Sequence, residues 1–240
     1  MEIELKLTVL KLADPQQHIN MDYPKRWSSL FAYHQTKIDE GVFGIYNPDV
    51  SHQTFGVLLL PNEESKKHIY AAILESLEGL SDKIISKLFI QLEENIHFSV
   101  QWSDKRKIKG ERQKLIIDEI KSVIADMKEI KGDLFMPFNG YGNLYGLMRT
   151  DQILEVSNLR YKLENIFHKY SLKSGIPEED FDLIHTSLMR FLEQLSEQER
   201  NEVNIQIKAV PIILDQIVIT FNDKVMSSEH TQILYRHKLG

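Results

Sequence analysis

The sequence predicts an α+β fold: two pseudo-symmetric antiparallel-sheet lobes, with outer helices, around a central cleft. Strand-sized and helix-sized apolar runs follow one another without strict alternation, which fits antiparallel neighbours better than a doubly wound parallel sheet. Two short segments, Ile96-His97-Phe98-Ser99-Val100 and Ile184-His185-Thr186-Ser187-Leu188, repeat one pattern of histidine, any residue, serine and aliphatic, 88 residues apart. Each follows a strand and then helical residues, 55–60 and 64–91 before the first, 143–149 and 151–172 before the second. This echo of structure more than of sequence predicts two similar lobes facing each other.

Taken in order, Ile3, Leu5, Leu7 and Val9 share one face of an alternating segment and predict a half-buried strand. Residues 13–54 are rich in aromatics, Asp, Asn and His and hold Pro15, Pro24 and Pro48; they predict an irregular covering segment, with one helix around Trp27 to Ile38. Phe55 to Leu60 is a buried strand ended by Pro61-Asn62. Asn62, with Glu63 and Glu64 after it, starts a helix whose apolar positions Ile69, Ala72, Ile73 and Leu77 run up to Gly79. A short helix is expected across Lys83 to Gln91 and a strand across Asn95 to Trp102. Glu111 to Ile130 predicts a long helix with the stripe Leu115, Ile116, Ile120, Val123, Ile124 and Met127, closed by Gly132. Residues 133–150 predict a turn and a strand, and Thr150 or Asp151 caps a helix to about Leu172. Phe181 to Phe191 is a strand. Ser196 starts a helix to about Lys208 with Glu199 as its capping partner. Val210 to Phe221 and Gln232 to Leu239 complete the strands. No linker interrupts the chain, so residues 1–240 read as a single bilobal domain.

Composition narrows the chemistry. The 240 residues hold no cysteine, which excludes disulfides, thiolate metal sites and a cysteine nucleophile. The longest purely apolar stretch, Gly56 to Pro61, is strand-sized and far short of a membrane span. The N-terminus lacks the basic-then-apolar order of a signal peptide, and a cytoplasmic location with no membrane partner is expected. A net charge of −6 argues against a non-specific nucleic-acid coat. The cluster Lys105, Arg106, Lys107, Lys109, Arg112 and Lys114 reads as a solvated loop running into a helix.

Side chains two apart on a strand point to one face, so His97 projects with Ser99 and His185 with Ser187, while the residues between them turn to the opposite, apolar face. A polar cleft above a packed core follows. Either tripeptide alone describes an ordinary half-buried strand histidine beside a serine; two copies in matching places point to a site. Metal binding fits less well, since neither histidine has a third ligand at a spacing such as His-x-x-x-His. No metal and no organic cofactor are expected. Arg149 and Arg190 stand in or beside the motif strands and read either as phosphate ligands or as surface ion-pair partners. Trp102, Phe138, Tyr141 and Tyr145 read either as base-stacking rings at the cleft mouth or as core and rim aromatics.

The run HTSLMRF from His185, followed by a helix, VPIILDQIVITFND and QILYRHKL, resembles the C-terminal lobe of the two-histidine phosphoesterase superfamily, which includes RNA 2′,3′-cyclic phosphodiesterases and 2′-5′ RNA ligase-like proteins. NIHFSVQW resembles the motif strand of its N-terminal lobe. The resemblance covers the first strand and about residue 55 to the end, and leaves residues 13–54 outside. It implies a metal-independent phosphodiesterase acting on a nucleotide or RNA-end cyclic phosphate, or on a 2′-5′ linkage. One imidazole, His97 or His185, takes a proton from the attacking water or hydroxyl, and the other gives one to the leaving alkoxide. Ser99 and Ser187 hold the phosphate oxygens. The family more often has threonine at the second motif position; serine keeps the hydroxyl. Two other classes stay open: a catalytically silent nucleotide- or RNA-binding module on the same fold, and a protein–protein adaptor using residues 13–54. Oligomeric state is not readable.

Overall fold

The structure is a computed structural model that describes residues 54–103, 108–135, 143–176, 180–193, 195–196, 198–199, 209–222 and 231–240. The expected first strand, the covering segment up to residue 53, the basic residues 105–107, and Phe138 and Tyr141 lie outside the described residues.

The elements run β1 (Thr54–Pro61), α1 (Glu63–Leu77), α2 (Asp82–Ile85), β2 (Leu88–Ile90), a 3₁₀ turn (Glu93–Asn95), β3 (Phe98–Ser103), α3 (Gly110–Ile124), β4 (Ile130–Phe135), β5 (Asn143–Arg149), α4 (Ile153–Lys169), β6 (Ile184–Phe191), β7 (Val210–Asn222) and β8 (Gln232–Lys238). Every strand pairing is antiparallel, and the order is β2-β6-β5-β4-β7-β1-β3, with β8 also on β7. The expected α+β class with antiparallel sheets holds. The two lobes, however, share one eight-stranded sheet. At 13 residues, β7 is long enough to serve both: Val210–Leu214 pairs with β4, and Gln216–Phe221 pairs with β8, while β1 runs along residues 214–222. The sheet curls so that β3, at one end of the order, packs beside β6 near the other end without a ladder between them.

Local signals mark some of the boundaries. The Asn62 carboxamide oxygen accepts from the Ser65 amide at 2.8 Å and opens α1. Gly79 follows α1 at φ +92°, where a side chain would be strained. The Ser196 hydroxyl accepts from the Glu199 amide and the Glu199 carboxylate accepts from the Ser196 amide, the expected capping box.

Three expectations are corrected. The helix expected over 83–91 is one turn of α2 followed by strand β2, because Leu88–Ile90 finds an open strand edge on β6. Helix α3 stops at Ile124, since Ile130–Leu134 is taken up as a strand by β7; Leu115 lies off the buried stripe, 49% exposed, and Ile116, Ile120 and Ile124 form it. Gly132 therefore does not close a helix. It sits within β4, where an added Cβ would lie 2.2 Å from the Arg149 carbonyl oxygen. Because a main-chain atom cannot move aside cheaply, Gly132→Ala is expected to lower stability by about 1–3 kcal/mol in urea denaturation.

The apolar faces of both motif strands enter one core. Ile96, Phe98 and Val100 from the β3 side, and Ile184, Leu188 and Met189 from β6, join Ile116, Ile120 and Ile124 of α3 and Val156, Leu163 and Phe167 of α4. Among the described residues no helix is long and apolar enough to cross a membrane.

Candidate active site

The alternation expected at both motifs is present. Ile96, Phe98 and Val100 are buried while His97 and Ser99 are half-buried; Ile184, Thr186 and Leu188 are buried while His185 and Ser187 are half-buried. His185 lies inside β6. His97 lies one residue ahead of β3, just after the 3₁₀ turn, rather than within the strand as the sequence pattern suggests.

Each motif strand carries one extra residue at the same place. In β3, Leu58 faces Ser99 but Val57 faces Gln101, so Val100 is the insertion. In β6, Tyr145 faces Ser187 but Leu144 faces Met189, so Leu188 is the insertion. Both are the third residue after the histidine. A bulge resets the alternation of the strand. The two residues after each serine are both buried, and Trp102 in β3 and Arg190 in β6 then return to the half-exposed face. Unbroken alternation would have turned Gln101 and Met189 to that face instead. Thus the bulge in β6 sets Arg190 on the side of His185 and Ser187.

His97 is oriented by its own chain. Its Nδ1–H donates to the Asn95 carbonyl oxygen at 2.8 Å, because a carbonyl can only accept, and this leaves the Nε2 lone pair free of that bond. The Gln91 carboxamide donates to the same oxygen at 3.2 Å, and the Gln91 amide donates to Leu188 O at 2.9 Å. The rung that follows the Ile90 and Met189 pair in the β2–β6 ladder is therefore made by the same residue, Gln91, that also bonds the carbonyl holding His97. Enclosure by protein holds the His97 pKa down at about 4, against the opposing pull of the Asn95 carbonyl. The Arg190 guanidinium adds to the lowering, so its charge is felt across the gap between β6 and β3. His185 packs edge-on against Tyr145, with ring centroids 5.9 Å apart.

Arg160 completes the arrangement and is the residue that sequence reasoning misses, although it occupies the buried stripe Val156–Arg160–Leu163–Phe167 of α4. A charged residue on an otherwise apolar helix face is the available signal. It is 1% exposed. Nε donates to Val100 O at 3.0 Å and Nη2 to Ser99 O at 2.9 Å, and Nη1 reaches Asp180 O, Phe181 O and Leu183 O at 3.0, 2.8 and 2.9 Å. Burial lowers its pKa to about 10, with Asp182 and Asp180 opposing, so it remains a cation at neutral pH.

The other candidates divide. Arg149 is exposed and lies over the Phe135 ring, 4.5 Å from its centroid. Tyr145 is buried beside His185. Trp102 is held against the chain leaving α4: the Gly175 amide donates to Trp102 O at 2.7 Å, and a Cβ on Gly175 would fall 2.3 Å from the indole. Among the described residues no three His, Asp or Glu side chains gather as a metal site.

No family model matches the sequence, and no curated protein matches it. Solved structures do match in fold. E. coli LigT in complex with NADP+ superposes with a TM-score of 0.53 at 11% identity, over 79% of this chain and 98% of that one. LigT in complex with 3′-AMP gives 0.51 at 11% identity, over 78% and 98%. TT0787 of Thermus thermophilus gives 0.52 at 10% identity, over 78% and 97%, and a protein described as a phosphoesterase gives 0.52 at 11%, over 78% and 98%.

Proposed function

We propose, for a chain that has the fold of the two-histidine phosphoesterases, that it is a phosphodiesterase that opens a nucleotide or RNA-end cyclic phosphate, or cuts a 2′-5′ linkage, through His97 and His185. The observation that carries this reading is the pair of His-x-Ser strands, bulged at matching residues and packed side by side with Arg190 reaching electrically across to His97. The complexes of LigT with NADP+ and 3′-AMP lend support to a nucleotide ligand.

The surroundings of His97 support an assignment of roles. Its Nδ1–H is held by Asn95 O, and burial with the Arg190 charge opposes protonation. His97 is therefore neutral at pH 7 and acts through Nε2 as the base, leaving His185 as the acid. Water loses a proton to His97 Nε2 as its oxygen bonds to phosphorus. The bond from phosphorus to the 2′ or 3′ ribose oxygen breaks, and that oxygen takes a proton from His185. The product is a monoester. Ser99 and Ser187 donate hydrogen bonds to the non-bridging oxygens, and Arg190 neutralises charge gathering there. A site of this kind works by positioning and electrostatics and asks for no metal.

The test is hydrolysis of a panel of 2′,3′-cyclic nucleotides and 2′-5′-linked dinucleotides in EDTA. Turnover to monoester, or cleavage of the 2′-5′ bond, supports the reading, and an inert panel removes it. The pH profile carries a second expectation. A base that protonates only near pH 4 stays competent as pH falls through 6.5, so kcat/KM should show no acid limb there and should fall about tenfold per unit only below about pH 4. An acid limb centred at 6.5 would show that the base titrates as an ordinary histidine and would remove the lowered His97 pKa as the ground for assigning base and acid.

A further inference from the structure

Main-chain carbonyls next to both bulges are met by donors from elsewhere in the chain. Gln91, on the segment between β1 and β3, donates to Leu188 O of β6. Arg160, on the helix between β5 and β6, donates to Ser99 O and Val100 O of β3. Its remaining donors hold Asp180, Phe181 and Leu183, the residues that lead into Ile184 and His185. One rigid, planar group thereby joins the backbone of β3 to the segment that leads into β6.

We infer that Arg160 is a positioning residue whose guanidinium sets the spacing between the His97–Ser99 strand and the His185–Ser187 strand. The inference deepens the phosphodiesterase reading and rests on it for its kinetic readout.

Several features single out this group. A guanidinium holds its N–H donors in a fixed fork, and the three nitrogens of Arg160 reach five carbonyl oxygens on two separate stretches of chain, Nη1 sharing its two N–H groups among three of them. Lysine has a single pivot with three donors and cannot hold both stretches in one plane. A methionine of similar length would satisfy the packing of α4 against β3 and leave those carbonyls buried without donors. The hydrogen bonds of the buried guanidinium go to main-chain carbonyls of β3 and of the segment before β6. Its influence on the reaction therefore passes through strand position alone, and a displacement of about 1 Å there is enough to cost on the order of 100-fold in rate.

The test uses the whole chain carrying Arg160→Lys or Arg160→Gln, with Ile120→Val in α3 as a control that loses core packing but leaves every Arg160 hydrogen bond in place. Two readouts are taken under conditions where circular dichroism shows each variant folded: steady-state kinetics on the best cyclic nucleotide from the panel, and the imidazole NMR resonances of His97 and His185. The expected result is a roughly 10- to 100-fold loss in kcat with KM within about threefold, together with shifted resonances for both rings; Ile120→Val changes neither. A folded Arg160 variant with wild-type kcat and unshifted rings overturns the inference. So does failure of both variants to fold, which would make Arg160 a residue of stability alone. If wild type itself has no turnover, the phosphodiesterase reading falls, and the ring resonances still decide whether Arg160 positions the two strands.

Discussion

Alanine at His97 or at His185 is expected to lower metal-free turnover of a 2′,3′-cyclic nucleotide by about 10²- to 10⁴-fold in each case, the range typical for loss of one general acid or base. The two losses should differ in their pH dependence. Without His97 no base remains at Nε2, and rate recovers only as hydroxide rises. Without His185 the leaving alkoxide departs unprotonated, and substrates with more acidic leaving groups should be hurt less. The double variant should be little slower than the worse single one, since two groups serving one displacement do not contribute independently. Folding is not at issue at either position, because both residues stand half-buried on the polar face while the core is built from the residues between them. A melting temperature within a few degrees of wild type, alongside the lost turnover, is the expected pairing. Retained turnover in either single variant would end the two-histidine mechanism for this chain.

Arg190→Ala carries the second large effect, about 10²- to 10³-fold in kcat, the usual consequence of losing one donor to developing charge. It also has a signature that a purely structural residue lacks. Burial is the main cause of the lowered His97 pKa and the Arg190 charge adds to it, so removing Arg190 lets that pKa rise part of the way. The acid limb of kcat/KM should then move up in pH. Arg190→Lys keeps a charge but loses the planar fork; it should preserve most of the pH profile and recover only part of the rate. An unmoved limb in Arg190→Ala would mean that the two groups do not sense each other, and the shared cleft would lose its electrostatic support.

The role of Arg190 shows where sequence reading stops. Its pairing with His185 and Ser187 on one face depends on the Leu188 bulge, and the only trace of that bulge is the adjacent apolar pair Leu188-Met189, which interrupts the alternation. In β3 the corresponding stretch, Val100-Gln101-Trp102, gives no such hint, because the buried Gln101 has polar character. Its carboxamide oxygen instead accepts from the amides of Trp102 and Ile176, each at 3.0 Å. The boundary of α3 is hidden for a related reason. Residues 125–129 are tolerant of helix, and what ends the helix is an open ladder on β7, about 80 residues later in the chain.

By itself the sequence determined the antiparallel α+β class, the caps at Asn62 and Ser196, and the division of each motif into a polar face and an apolar face. These are local matters, fixed by side-chain spacing along one element and by hydrogen bonds a few residues long. Only the tertiary structure decided that β7 joins both lobes in one sheet, that matched bulges bring Trp102 and Arg190 round to the histidine face, and that Arg160 joins β3 to the segment leading into β6. Each of these depends on carbonyls and strand edges far apart in sequence, whose unmet hydrogen bonds are satisfied only when the chain has closed on itself.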